Sequence, residues 1–137
     1  IFSKKNFKVV SKKKPNKETL NKLIFAFNVC RNIKSNAVVI TQNYKTVGIG
    51  SGQPSRLDSC QLAINKMKKF QNFKKNEELL AASDAFFPFV DGIEKLVQSG
   101  VTAVIQPSGS KNDKDIIRFA NQTNTILVFS KTRHFSH

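Results

Sequence analysis

The sequence predicts an α/β fold, a mostly parallel sheet with covering helices, and three observations carry that prediction. Short strand-like apolar runs alternate with stretches of helical period along most of the 137 residues. Glycine, proline and capping residues fall between these stretches. The length suits one domain, since a chain of this size buries roughly two thirds of the surface its unfolded form exposes.

Taken in order, Pro15 and Asn16 precede 17–34, where Leu20, Leu23, Ile24, Phe27, Cys30 and Ile33 recur at spacings of three and four. That is an amphipathic helix. A strand over 37–41 is returned by the turn Gln42-Asn43-Tyr44-Lys45 as a second strand over 46–50. A helix over 56–70 carries Cys60, Ala63, Ile64 and Met67 as its inner stripe, and 71–78 is a polar connection. The run 85–89 reads as a short buried strand ending near Pro88, with Phe87 and Phe89 in the core. Asp91 with Glu94 marks the cap of a helix that Gly100 ends, 102–106 is a strand, 112–123 a helix and 125–130 a strand.

The stretch V-G-I-G-S-G-Q-P-S-R-L-D-S, 47–59, holds the most chemistry. Ser55 with Asp58 three residues on is a capping box, so Arg56 sits in the first turn of a helix, beside unpaired N–H groups and a partial positive charge. A cation there calls for an anion nearby, and Gly48, Gly50 and Gly52 would let a ligand approach the backbone. The equal alternative is a hairpin ending in a flexible loop with Arg56 in solvent. The glycines match neither the dinucleotide fingerprint nor a Walker loop. Asp84 reads as a turn aspartate capping local N–H groups rather than a general base.

The formal net charge is +14, from 23 Lys and Arg against 9 Asp and Glu. This makes a basic nucleic-acid-binding module the alternative function. The lysines, however, lie in scattered short runs (Lys4 and Lys5, Lys12 to Lys14, Lys68 and Lys69, Lys74 and Lys75) among many Asn and Phe and no Trp. Codon bias in an AT-rich genome accounts for that composition, with steering of anionic substrates as its use. No apolar run approaches the roughly 18 residues of a membrane span, and no signal peptide follows the basic opening. A soluble cytoplasmic protein with no membrane partner and no specific nucleic-acid partner is expected. Cys30 and Cys60, thirty positions apart in helical patterns, read as buried reduced thiols rather than metal ligands.

Four further segments change what the glycine-rich stretch means: K-S-N-A at 34–37, A-S-D-A-F-F-P-F-V-D-G at 82–92, T-A-V-I-Q-P-S-G-S at 102–110 and R-H-F-S-H at 133–137. With V-G-I-G-S-G-Q-P-S-R-L-D they resemble, in order, the C-terminal part of the bifunctional purine-biosynthesis family. That family joins aminoimidazole carboxamide ribonucleotide (AICAR) formyltransferase to IMP cyclohydrolase. The likeness runs from about Phe7 to His137.

The resemblance implies transfer of formyl from 10-formyltetrahydrofolate, as co-substrate, to the amine of AICAR. Asn36, Arg56, Phe86 and Arg133 match family positions that contact the AICAR nucleotide, and the Arg133 guanidinium suits a phosphate. Leu57, Ser110 and Lys111 match the folate side, although Lys111 departs from the small residue expected there. No metal is expected, because the resemblance implies a cytidine deaminase-like lobe without the zinc ligands of true deaminases.

Residues 1–137 are accordingly expected to be the C-terminal lobe of the formyltransferase domain, a fragment lacking the upstream formyltransferase half and the cyclohydrolase domain. The family's chemistry is associated with a Lys-His pair that these residues do not contain, and His134 and His137 are not that pair. No catalytic residue is therefore assigned in this chain, which alone should be inactive. The family's homodimer, with sites at the subunit interface, is the expected assembly. A stand-alone binding lobe left by gene decay would share every motif.

Overall fold

The computed structural model describes residues 6–70, 74 and 76–131. In chain order the elements are β1 (Phe7–Val9), α1 (Lys17–Arg31), β2 (Val38–Gln42), β3 (Lys45–Gly50), α2 (Arg56–Lys69), β4 (Leu79–Ser83), α3 (Val90–Gln98), β5 (Val101–Pro107), α4 (Asp113–Gln122) and β6 (Ile126–Ser130). Among the described residues the strands form one sheet in the order β1-β6-β5-β4-β2-β3. The pairs β4–β5 and β5–β6 are parallel, whereas β2 opposes both β3 and β4, and β1 opposes β6. Four strands, β3 to β6, therefore run one way. The sheet is α/β and mixed, with a parallel centre flanked by antiparallel strands.

Local signals place the helices. The Asn16 side chain accepts from the Thr19 amide at 2.8 Å and starts α1. The helix stops at Arg31, short of the expected 34, because the Asn32 and Ile33 amides turn back to the Val29 and Cys30 carbonyls in a tightened last turn. Asn43 and Tyr44 both adopt positive φ, 49° and 61°, as a two-residue hairpin turn requires. Gly100, at φ 110°, follows α3 and donates to Val97 O. Asp91 does not cap α3: Phe89 holds the N-cap position without a side-chain bond, and Asp91 sits inside the first turn, accepting from Gly92 N.

The fourth strand corrects the sequence reading. The run 85–89 is a loop, and the strand lies at Leu79–Ser83, between the polar connection and that run, in residues to which no element was assigned. All five of its residues are buried between β2 and β5, so it shows a continuous small apolar run rather than alternation or β-branching. Phe87 is core, packed so closely on Gly92 that a Cβ there would come within 2.8 Å of its ring. Phe89 is 63% exposed and is not core. The edge strand β1 was too short to show a period.

The sheet buries both faces. Leu23, Ala26, Phe27 and Cys30 of α1 cover one, meeting Val39, Leu80, Ile105 and Val128. Residues of α2, α3 and α4, among them Ala63, Met67, Ile93, Leu96 and Ile116, cover the other, meeting Ile40, Ala81, Val104 and Leu127. Both cysteines are free and buried within these layers. Burial raises the Cys30 thiol well above its ordinary value, and raises that of Cys60 from 9.0 to about 12, with Arg56 opposing and Asp91 adding to the shift.

Two glycines set how closely α2 lies on the sheet. A Cβ on Gly48 would fall 2.2 Å from the Ala63 carbonyl oxygen, and one on Gly50 would fall 1.9 Å from that of Ser59. These residues serve strand–helix contact, not approach of a ligand, and only Gly52, at φ 65°, meets the turn requirement. Gly50→Ala must push α2 off β3, and a loss of about 1–3 kcal/mol or more is expected from overpacking against rigid backbone. Urea unfolding measures it. An unchanged midpoint would contradict the close packing of α2 on β3.

Candidate functional site

The sheet register gathers three distant segments at one edge. Val38 at the start of β2 pairs with both Gly50 at the end of β3 and Ser83 at the end of β4. Residues just before β2, after β3 and after β4 must therefore meet. The loop after β5 joins them, since Ala82 and Ile105 are partners and the Asn112 side-chain amide donates to Pro88 O at 2.6 Å. This is the carboxyl end of the parallel strands, where an open α/β sheet leaves its crevice.

Asp84, immediately after β4, organises the junction. Its side chain is 3% exposed and forms an ion pair with Arg56 Nη1. Its Oδ1 also accepts from the Ala37 amide at 3.1 Å, and its Oδ2 from Ser35 Oγ at 2.6 Å. The residues on both sides of Asn36 are thus tied to one carboxylate. Asp84 does not cap local N–H groups, because its partners lie 28 to 49 residues away.

Arg56 is held from the other side. Its guanidinium, 10% exposed, donates through Nη1 to Ala37 O at 3.3 Å as well as to Asp84, and through Nη2 to Asn36 Oδ1 at 2.9 Å. Nη1 is committed inward, while among the described residues no hydrogen bond engages Nε–H or the second Nη2 hydrogen. The anion that a cation in this first turn demands is thus supplied by the protein. Asn36 is fixed at each end: Nδ2 donates to Gln53 O at 2.9 Å, and its backbone carbonyl accepts from Ser59 Oγ at 2.7 Å. Ser55 starts α2 by accepting from the Asp58 amide at 3.0 Å, as the capping-box spacing foretells.

Above this floor lies an open cleft of about 450 Å³, lined by Asn36, Pro54, Ser55, Arg56, Ala85, Phe86 and Pro88. Phe86 is 38% exposed and forms an aromatic wall. Its loop is pinned where the Phe87 amide donates to Gln106 Oε1 at 3.3 Å. The arrangement suits a planar polar ligand, with a ring surface on one side and oriented N–H and C=O groups on the other.

Three of the four residues assigned to the nucleotide, Asn36, Arg56 and Phe86, come together here. The fourth, Arg133, lies outside the described residues, as do His134 and His137. Leu57 is half-buried in the first turn of α2 beside Arg56 and does not line the cleft. Ser110 and Lys111 lie in the loop before α4, where Ser110 Oγ accepts from the Asn112 amide at 3.0 Å and Lys111 is exposed. Sequence reasoning missed Asp84, Ser35, Gln53 and Ser59 as the frame of the site. The signal for Asp84 was Arg56 itself, a first-turn cation in need of an anion. Among the described residues no cluster of three or more His, Cys, Asp or Glu side chains is arranged to hold a metal ion, and no helix is long and apolar enough to cross a membrane.

Comparison with known proteins agrees with the motifs. The family model described as "AICARFT/IMPCHase bienzyme" matches residues 1–66. The chain is 45% identical over 135 residues to the bifunctional purine biosynthesis protein PurH of Leuconostoc mesenteroides, covering 98% of this chain and 26% of that protein. It is 46% identical over 129 residues to the protein of that name from Aquifex aeolicus, covering 94% of this chain and 25% of that protein. With the PurH protein of Buchnera aphidicola subsp. Baizongia pistaciae it shares 43% identity over 137 residues. The chain is homologous to these bifunctional proteins and spans about a quarter of their length.

The frame should dominate local stability. Arg56→Ala strands the buried Asp84 carboxylate and leaves Asn36 Oδ1 without its donor, a loss of about 3–5 kcal/mol. Arg118→Ala removes an exposed pair with Asp115, whose side chains are 67% and 52% accessible, and should change stability by less than about 1 kcal/mol. Urea denaturation of the two variants measures the contrast, and equal losses would contradict it.

Proposed function

We propose that this chain builds the nucleotide side of an AICAR formyltransferase site, as the C-terminal lobe of the formyltransferase domain in a bifunctional protein that also carries IMP cyclohydrolase activity. The observation that carries the reading is the convergence of Asn36, Arg56 and Phe86, from segments 20 to 50 positions apart, on one cleft. Homology to the PurH proteins supports the pathway. The cytidine deaminase-like assignment of the lobe is supported by an antiparallel hairpin leading into three parallel strands with helices on both faces.

In this reading the imidazole ring of AICAR lies against Phe86 while Arg56 and Asn36 hold its polar edge, and Arg133 takes the phosphate. Leu57, Ser110 and Lys111 face 10-formyltetrahydrofolate, the loop before α4 reaching the cleft rim through the Asn112–Pro88 contact. The reaction forms a bond from the AICAR amine nitrogen to the formyl carbon and breaks the bond from that carbon to folate N10. The amine gives up a proton, and the leaving nitrogen takes one. Asp84 is committed to Arg56, Ala37 and Ser35 and does not carry that proton. The proton-transfer groups belong to residues outside these 137, across the homodimer interface or upstream, and this chain orients the nucleophile.

Calorimetric titration with AICAR tests the reading. The chain should bind AICAR without catalysing formyl transfer from 10-formyltetrahydrofolate. Phe86→Ala, at a part-exposed position, should leave the unfolding midpoint nearly unchanged but weaken AICAR binding by about 1–3 kcal/mol, roughly fivefold to over a hundredfold. Undiminished affinity in that variant would sink the assignment of the cleft, and turnover by the chain alone would overturn the assignment of the catalytic groups.

A further inference from the structure

The N-terminus of α2 has the makings of an anion site that the protein itself neutralises. Ser55, the N-cap of α2, and Arg56 in its first turn both line the cleft, and a helix N-terminus beside a guanidinium ordinarily draws phosphate. Here the position of the anion is already taken. Asp84 is 3% exposed, so water does little to screen it, and its two oxygens are held by Ala37 N and Ser35 Oγ so that it cannot swing away. A phosphate placed on Arg56 would meet a fixed like charge one guanidinium away. The other residues lining the cleft, Asn36, Pro54, Ser55, Ala85, Phe86 and Pro88, are uncharged.

We propose that Asp84 is a specificity-determining residue: by meeting the Arg56 charge from within, it closes this part of the cleft to phosphate and other anions and reserves the remaining guanidinium N–H groups for an uncharged acceptor on the ligand. The inference rests on the cleft being the ligand site proposed above. A neutral carbonyl or ring nitrogen can accept from Nε–H or Nη2–H without approaching Asp84 as a charge. Any phosphate on the same ligand must then be bound elsewhere.

Inorganic phosphate is the first probe, titrated into the chain while the Ser55 and Arg56 amide resonances are followed. Wild-type protein should show no saturable shift at these residues, and saturable binding there would overturn the proposal. Asp84→Asn keeps the side-chain shape and an oxygen acceptor but removes the charge. It should gain phosphate affinity on the order of tenfold, as a charge-assisted contact becomes available. A purely structural role for Asp84 predicts no such gain, and a folded variant that binds phosphate no better than wild type overturns the idea.

If Asp84→Asn does not fold, wild-type protein decides through a second comparison. The Arg56 Nε–H resonance should shift equally with AICAR and with its riboside, which lacks the phosphate. A shift that requires the phosphate overturns the proposal. If neither ligand moves Arg56 while Asp84→Asn gains phosphate binding, the charge rule stands and the purine-nucleotide reading of the cleft falls.

Discussion

The buried ion pair between Arg56 and Asp84 is the interaction on which the site depends. Each partner is costly to desolvate alone, and together they pay that cost only because Ala37, Ser35 and Asn36 complete the hydrogen bonding. In doing so they fasten the start of α2, the entry to β2 and the exit of β4 into one unit. Arg56 therefore enters the cleft as an oriented donor whose charge is already balanced.

That unit exists because of the sheet. An antiparallel β2 beside a parallel β4 brings the beginning of one strand to the end of the other, which no all-parallel order would do for neighbouring strands. Gly48 and Gly50 let α2 approach β3 at backbone distance, and that approach sets Ser59 Oγ against the Asn36 carbonyl. Packing on one face of the sheet thus fixes the geometry of the cleft.

Much of this was legible in the sequence where the signal was local. The periods of α1 and α2, the Asn16 and Ser55 caps and the Asn43-Tyr44 turn depend on neighbours within a few residues, and the chain follows them. Arg56 was legible as a first-turn cation, whereas Asn36 and Phe86 were assigned through family likeness, and no local signal brings Phe86 to the other two. What failed was non-local. Leu79–Ser83 is a strand because it pairs between β2 and β5 with helices packed on both its faces, and 85–89 reads as a strand by composition although Phe89 is exposed. Asp84 looked like a turn residue because its partners lie far along the chain, and Gly48 and Gly50 looked like a ligand loop because the contact of α2 with β3 that they admit is invisible in sequence.

A crystal structure of the chain with AICAR bound tests the central claim most directly. The account predicts the imidazole ring against Phe86, with its polar edge within hydrogen-bond distance of Arg56 and Asn36 and the Arg56–Asp84 pair unbroken. Electron density for AICAR elsewhere, such as the α2–α3 groove by Lys68 and Lys95, or an Arg56 swung off Asp84 onto the phosphate, would contradict it.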